Sequence, residues 1–600
     1  MKFISDSKTC WLRVCHLSRR LLRGSAYIWV APSERVVVGT LCAVAIIKAW
    51  VAWSYGVSPG AADDYDYLNK AAYFLAGDFQ ATDYPFTNTP VGILYPLLVS
   101  LWVLVDDPQS RMLIPLVINI SFAAMTSYFL WRIYLLIGGA RSAAALAFFC
   151  IYNPVFLMSF YVLTENFFYV GLTLVGLLAL QADDIRRSPM RMIGTLLALV
   201  ALVQIRAPGL AVAMAFAIVL LALARRQQRP AGAVILAIVC LVLPITSYLG
   251  LGQLLGGGRE SRFLTHLRDG VDSLHNAGYA ASWFVAEVNY LHVAIGCFCL
   301  PVMLAGLRKG AFKGIYRGGL SSSTARYGLF VALVGAATLL LAVGQLAVKF
   351  HYRPGTAFFV YGRYVDPILV LSAPLVLFAL EKARRTVGRR AVAVGLVSAL
   401  LAVASLVLLQ IPAVRLSPPN YNGVSFQMAV PPIQVCPGVY VAIAIVVFTL
   451  GWSLATRDEL RRLVLFGFLI SAQVLGIAYG LRFLHKRARL LHRSVAVAEW
   501  IQDNVAEESP IFCDATISEE RAPRAARRMK DVYRMLKFFT YPRDMDLVTQ
   551  IPDRATGYFY TATGGLQLPE SWRVWSNGSY HLYRLNHAAT EPVYQIQRGW

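Results

Sequence analysis

The chain has 600 residues, of which 57% are hydrophobic and only 15% charged, too apolar a balance for an ordinary soluble protein of several domains. Lys and Arg outnumber Asp and Glu by 56 to 33. The positive charges sit mostly in short loops between apolar runs, which marks cytoplasmic loops of a membrane protein and excludes a nucleic-acid footprint.

Residues 1–34 contain Lys2, Lys8, Arg13, Arg19, Arg20 and Arg23 ahead of the first apolar run. No small-residue cleavage site follows that run, so it reads as a retained helix with a cytoplasmic N-terminus. From 35 to 481 the chain reads as an all-α polytopic membrane domain of about thirteen spans, each needing about 20 apolar residues. The expected helices are 35–55, 89–105, 112–136, 142–160, 164–182, 192–206, 207–224, 231–251, 287–307, 328–348, 365–381, 391–411, 438–455 and 463–481. Three basic loops, around Arg225, Lys309 and Arg385, agree on the cytoplasmic side. Returning from Arg225 to a cytoplasmic N-terminus takes an even number of crossings, yet seven candidates lie between. The ones suspected of not spanning are the short segment after residue 89 and the one interrupted by Tyr152-Asn153-Pro154.

Between the first two spans, residues 56–88 form a first extracytoplasmic loop. It opens with Asp63-Asp64-Tyr65-Asp66-Tyr67, and the spacing of Tyr67, Ala71, Phe74 and Leu75 predicts a short amphipathic helix on the membrane surface. Its dipole favours carboxylates at Asp63 and Asp64, and from the residues alone they divide evenly between helix capping and chemistry. Glu165, at the edge of an apolar run, is either an interfacial cap or the partner of a cation or polar substrate. Gln204 to Gly209 form a hairpin tip carrying Arg206. Arg353, Arg363 and Tyr364 make a cationic and aromatic stretch before a helix, suited either to phosphate oxygens or to snorkelling at the interface.

The tail differs in composition from the rest. Turns such as Thr563-Gly564-Gly565 and the alternating run Tyr580 to Leu585 predict a small α/β domain over 482–600 on the extracytoplasmic side. A basic run there (Arg482, Lys486, Arg487, Arg489, Arg493) points the other way, but the three consistent loops outweigh it. Cys436 and Cys513, both expected outside, form a candidate disulfide.

Taken in order, Asp63-Asp64-Tyr65-Asp66-Tyr67, Leu75-Ala76-Gly77-Asp78, Asn88-Thr89-Pro90-Val91-Gly92, Leu163-Thr164-Glu165, Arg206-Ala207-Pro208-Gly209 and Gly362-Arg363-Tyr364 resemble the GT-C superfamily of polytopic glycosyltransferases. The chain resembles bacterial relatives of protein O-mannosyltransferases and of lipid A aminoarabinose transferases. The resemblance covers most of the first 225 residues and then thins. It implies an inverting transfer of a sugar from a polyprenyl-phosphate carrier to an acceptor at the outer face of the plasma membrane. Asp63 would be the catalytic base, with Asp64 as its neighbour or as the base itself. Asp66, Tyr67, Asn88, Glu165, Arg206, Arg353, Arg363 and Tyr364 would line the substrates. Relatives often carry Glu or His before the Pro opening the second helix, where Thr87-Asn88-Thr89-Pro90 stands here, so a divalent metal is doubtful and no other cofactor is implied. The alternative is a transporter or flippase of polar lipids, which would place ionisable groups inside its helices. Neither sugar nor acceptor is identified.

Overall fold

The computed structural model describes residues 31–58, 62–76, 94–182, 188–206, 208–224, 230–254, 322–352, 358–360, 362–382, 414–416, 458–514, 523–543, 545–548, 555–562 and 568–585, with isolated residues 284, 287, 291 and 551. The first helix, α1 (Glu34–Trp53), starts where the Ser33 side chain accepts from the Val36 backbone amide, a standard cap for an otherwise unpaired donor. The short helix α2 (Ala62–Leu75) follows. The helix α3 (Leu94–Val99) passes into a 3-10 turn over Ser100–Leu104, and α4 (Pro108–Leu136) is capped by Asp107, which accepts from Ser110.

The next segment breaks into α5 (Ala143–Cys150) and α6 (Asn153–Phe156), the latter continued by a 3-10 turn at Leu157–Phe160. The two pieces meet at 44°, where Pro154 lacks the amide that a continuous helix needs. Both suspected segments thus depart from a straight span. Beyond them come α7 (Thr164–Leu180), α8 (Pro189–Ile205), α9 (Gly209–Ala224), α10 (Pro230–Leu254), α11 (Ser323–Tyr352) and α12 (Gly362–Lys382). A small parallel pair joins β1 (Phe358–Val360) to β2 (Val414–Leu416).

Among the described residues, four helices are long and apolar enough to cross a membrane, and the bent pair makes a fifth if it is one span. Five further apolar helices are shorter, at 10–17 residues. The expected segments 391–411 and 438–455 lie outside the described residues, as does nearly all of 287–307.

The helix α13 (Asp458–Asn504) runs unbroken for 47 residues, so the domain boundary expected at 482 falls inside one helix. Beyond it, β3 (Ile511–Asp514), α14 (Pro523–Phe539) and β4 (Met545–Val548) form a parallel crossover unit. β5 (Gly557–Ala562), β6 (Arg573–Ser576) and β7 (Tyr580–Leu585) complete a five-stranded sheet of order β4-β3-β5-β7-β6. This is the expected small α/β unit. Its Cys513 is buried in β3, while Cys436, its candidate disulfide partner, lies outside the described residues. The apolar face of α14, with Met535, Leu536, Phe538 and Phe539 all buried, continues the core of the helical bundle into this unit.

Candidate active site

The helix α2 does not lie on an open surface. It packs between α3 on one side and α14 on the other, and its buried face carries Asp64, Tyr65, Leu68, Ala71 and Ala72, while Leu75 is exposed. The apolar spacing marked the helix, and of its positions Tyr67 and Ala71 are buried while Leu75 is exposed; the helix packs inside the protein because two carboxylates find polar partners that the local sequence does not contain.

Asp63 stands in the first turn of α2. Asp64 is 1% exposed. Its Oδ2 accepts the backbone amide of Val162 at 2.9 Å and the hydroxyl of Ser58. These charge-assisted bonds tie the loop after α1 and the turn before α7 to one carboxylate. Burial, and then the neighbouring Asp64 charge, push the Tyr65 phenol well above its ordinary value, so that hydroxyl stays protonated. Asp66, by contrast, pairs with Arg534 of α14, Nε to Oδ1 at 2.9 Å.

Tyr67 meets Tyr95 of α3 edge to face, with centroids 5.6 Å apart. The Tyr95 hydroxyl accepts from Asn119 Nδ2 at 2.7 Å, and the same amide donates to the Tyr161 carbonyl at 3.1 Å. Tyr95 lies within electrostatic reach of Asp64, Tyr67 and Glu165 together. Asn119 thus ties Tyr95 to Tyr161, next to the Val162 amide that Asp64 accepts, so α3 and the acidic helix meet at the turn before α7.

Glu165 is 2% exposed and pairs with Arg206, Nη1 to Oε1 at 2.8 Å. Arg206 ends α8 with an extended backbone, and the amide of Gly209 closes the turn onto its carbonyl at 2.9 Å. A Cβ on Gly209 would stand 2.6 Å from the Leu202 carbonyl carbon, so glycine is required for the turn that aims Arg206 at Glu165. Around this pair, Glu165 Oε2, Thr164 Oγ1, Asn166 Oδ1 and the Tyr169 hydroxyl find no hydrogen-bond partner among the described residues. Four buried polar atoms within two turns of one helix are costly unless something polar meets them. Tyr169 is also within electrostatic reach of Asp366, a fully buried carboxylate of α12.

The structure thus brings Asp64, Tyr67, Glu165 and Arg206 into one polar region. Arg363 and Tyr364 stand in the first turn of α12, about one turn before Asp366. Asn88 and Arg353 lie outside the described residues. Reading the sequence missed Tyr95, Asn119, Tyr169 and Asp366. Only Asp366, a charge within an apolar run, offered a local signal. Among the described residues no group of three or more His, Cys, Asp or Glu side chains is placed to hold a metal ion.

No protein-family model matches the sequence, and no curated protein matches it. Among solved structures the chain is similar to ArnT from Cupriavidus metallidurans bound to undecaprenyl phosphate. Identity is 14% over 93% of this chain and 99% of that one, with a TM-score of 0.52. The apo state of the same protein gives 14% identity over 91% and 98%, with a TM-score of 0.49. At this identity the likeness speaks for architecture alone, and the chain shares the fold of ArnT.

Proposed function

We propose that this protein is a membrane glycosyltransferase that moves a sugar, with inversion, from a polyprenyl-phosphate carrier to an acceptor at the outer face of the plasma membrane. The observation that carries this reading is that buried Asp64 accepts the Val162 amide three residues before Glu165, which is itself paired with Arg206, inside a fold similar to that of a protein whose structure is bound to undecaprenyl phosphate. The N-terminus and the basic loops face the cytoplasm in this reading, and the C-terminal sheet lies outside.

The acceptor hydroxyl attacks the anomeric carbon, the bond to the carrier phosphate breaks, and the acceptor proton passes to a carboxylate of α2. Asp63 takes that role, and its neighbour Asp64, held by Ser58 and Val162, fixes the first turn of the helix. A single base and a displaced phosphate give inversion. The departing phosphate gains charge, which guanidinium groups stabilise. Arg206, Arg353 and Arg363 supply them, Tyr364 flanks the carrier phosphate, and Tyr67 and Asn88 position the sugar. Glu165 orients Arg206. No step is routed through a metal. A flippase is the second reading, favoured by Asp366 and Lys48, both buried within apolar helices.

The test replaces Asp63 and Asp64 by Asn one at a time, confirms membrane levels, and measures transfer of labelled sugar from polyprenyl-phosphate hexose, pentose and amino-sugar donors. Loss of transfer by about a hundredfold or more in at least one variant is expected for removal of a general base. Full transfer in both variants would sink the assignment.

A further inference from the structure

The basic run from Arg482 to Arg493 plays no part in the reaction above, and on the outer side it contradicts the usual placement of positive loops. The sequence from 482 to 493 holds five Arg or Lys, two His and no carboxylate, and it begins directly after the apolar part of α13. Its place in the fold gives those charges a purpose.

A cleft of about 400 Å³ lies between the end of α1 and this part of α13. Trp53 and Tyr55 form one wall. His485, Arg489 and His492 form the other, with Glu499 further along the same helix. Positions 485, 489 and 492 are spaced at four and three residues, which sets them on one helical face, and all three are exposed. The Tyr55 ring stands 6.0 Å from the His485 ring, so the walls face each other at close range.

The level of the cleft is set by α1. Trp50 and Trp53, 73% and 55% exposed at its end, are the residues that settle at the boundary between hydrocarbon and headgroups. The Tyr55 hydroxyl reaches the Leu481 carbonyl at 3.5 Å, which puts the start of the basic run at that same height. A guanidinium and two imidazoles at headgroup height face a layer of lipid phosphates, and basic residues beside a membrane attract anionic lipids. Arg489 presents a fork that matches phosphate oxygens. The negative charge of Glu499 along the same wall disfavours a bare anion and suits a headgroup that also bears hydroxyls.

We propose that this cleft binds the headgroup of an anionic, hydroxyl-bearing phospholipid of the phosphatidylglycerol class, beside the site around Asp64, since its lining residue Val57 directly precedes the Ser58 that holds that carboxylate. The placement on the outer leaflet rests on the orientation adopted above. The binding itself does not.

The experiment uses the full chain in non-ionic detergent, titrated separately with phosphatidylglycerol, phosphatidylcholine and inorganic phosphate and read by native mass spectrometry. One tightly retained phosphatidylglycerol is expected. The combined change His485→Gln, Arg489→Gln and His492→Gln should weaken it by about tenfold or more, as charge-assisted contacts to phosphate are lost. Arg489→Lys keeps the charge without the fork and serves as a milder variant, with roughly threefold weaker retention expected. Arg482→Gln with Lys486→Gln, on the same helix but outside the cleft lining, should change retention little. Equal retention in wild type and cleft variants overturns the proposal, as does an equal loss in the control variant, which would mean diffuse attraction. Phosphatidylcholine bound as well as phosphatidylglycerol, or free phosphate bound in preference to the lipid, overturns it too. Sugar transfer is measured in the same variants and should be unchanged, so failure of this proposal and failure of the transferase reading are told apart.

Discussion

Arg534 Nε lies 2.9 Å from Asp66 Oδ1, and both side chains are largely buried, at 12% and 4% exposure. The pair joins the helix carrying Asp63 and Asp64 to a helix of the C-terminal unit. It is reinforced by Asn69 Nδ2 donating to the Arg534 carbonyl at 3.0 Å and by Lys537 Nζ donating to the Tyr73 hydroxyl at 2.7 Å. On the far side Trp102 Nε1 donates to the Leu68 carbonyl at 3.0 Å while its ring packs on Phe538.

Removing one partner of such a pair leaves the other buried and uncompensated. Asp66→Asn and Arg534→Gln are each expected to cost about 3–5 kcal/mol of stability. The exchange Asp66→Arg with Arg534→Asp should recover part of it. Thermal unfolding of the four proteins in one detergent checks this, and a swap no better than the single changes would show that the charges do not act on one another.

Glu165 and Arg206 should behave as one unit. Glu165→Gln and Arg206→Gln are each expected to lower transfer by about a hundredfold, with the double change costing little more than either alone, since they share one interaction. A double-mutant cycle on the rate of transfer measures the coupling. Strict additivity would separate their roles.

Gly209 is expected to tolerate no side chain. Its Cβ would fall 2.7 Å from the Leu202 carbonyl oxygen and the Val203 amide nitrogen, backbone atoms that cannot rotate away. Gly209→Ala should cost about 1–3 kcal/mol as an overpacking change and should reduce transfer by turning Arg206 away from Glu165. Parallel melting and transfer measurements check both effects, and wild-type transfer at wild-type stability would refute the account of the turn.

In the sheet, Cys513 is fully buried. Burial, and after it the charges of Asp514 and Asp546, push its thiol well above the ordinary range. A raised pKa in the folded state favours the neutral thiol, so its contribution is complete below the unfolded value of about 8.5 and is lost as pH rises above it. The C-terminal unit should therefore melt progressively earlier above roughly pH 9, and Cys513→Ala should flatten that slope. Maleimide should label Cys513 only after unfolding. Labelling of the native protein at neutral pH would contradict the burial.

Much of the helical order was legible because apolar runs report directly on burial in lipid or core. The turn at Arg206 to Gly209 and the break at Asn153-Pro154 were marked by residues whose backbone chemistry is local. The same reading ended the last span at Leu481, since apolarity stops there, whereas α13 continues to Asn504. Arg, Leu, Ala and Lys are strong helix formers, and no Pro or Gly interrupts the run beyond Gly480. Of the candidate site, Asp64, Glu165 and Arg206 stood out as charges at the edges of apolar segments. Arg534 did not, because its partner lies more than 460 residues away and α14 reads alone as an ordinary basic amphipathic helix. Tyr95 and Asn119 are hidden for another reason: a phenol and an amide in apolar runs look like core until their hydrogen bond is seen.

At 1.5 Å per residue the 47 residues of α13 form a rod about 70 Å long. A rod without a hinge is a lever. A tilt of about 5° carries its far end sideways by roughly 6 Å, and tilt is how a long apolar helix adjusts to the thickness of its bilayer. Any such change of tilt would displace the sheet and α14, and with them the helix that Arg534 holds.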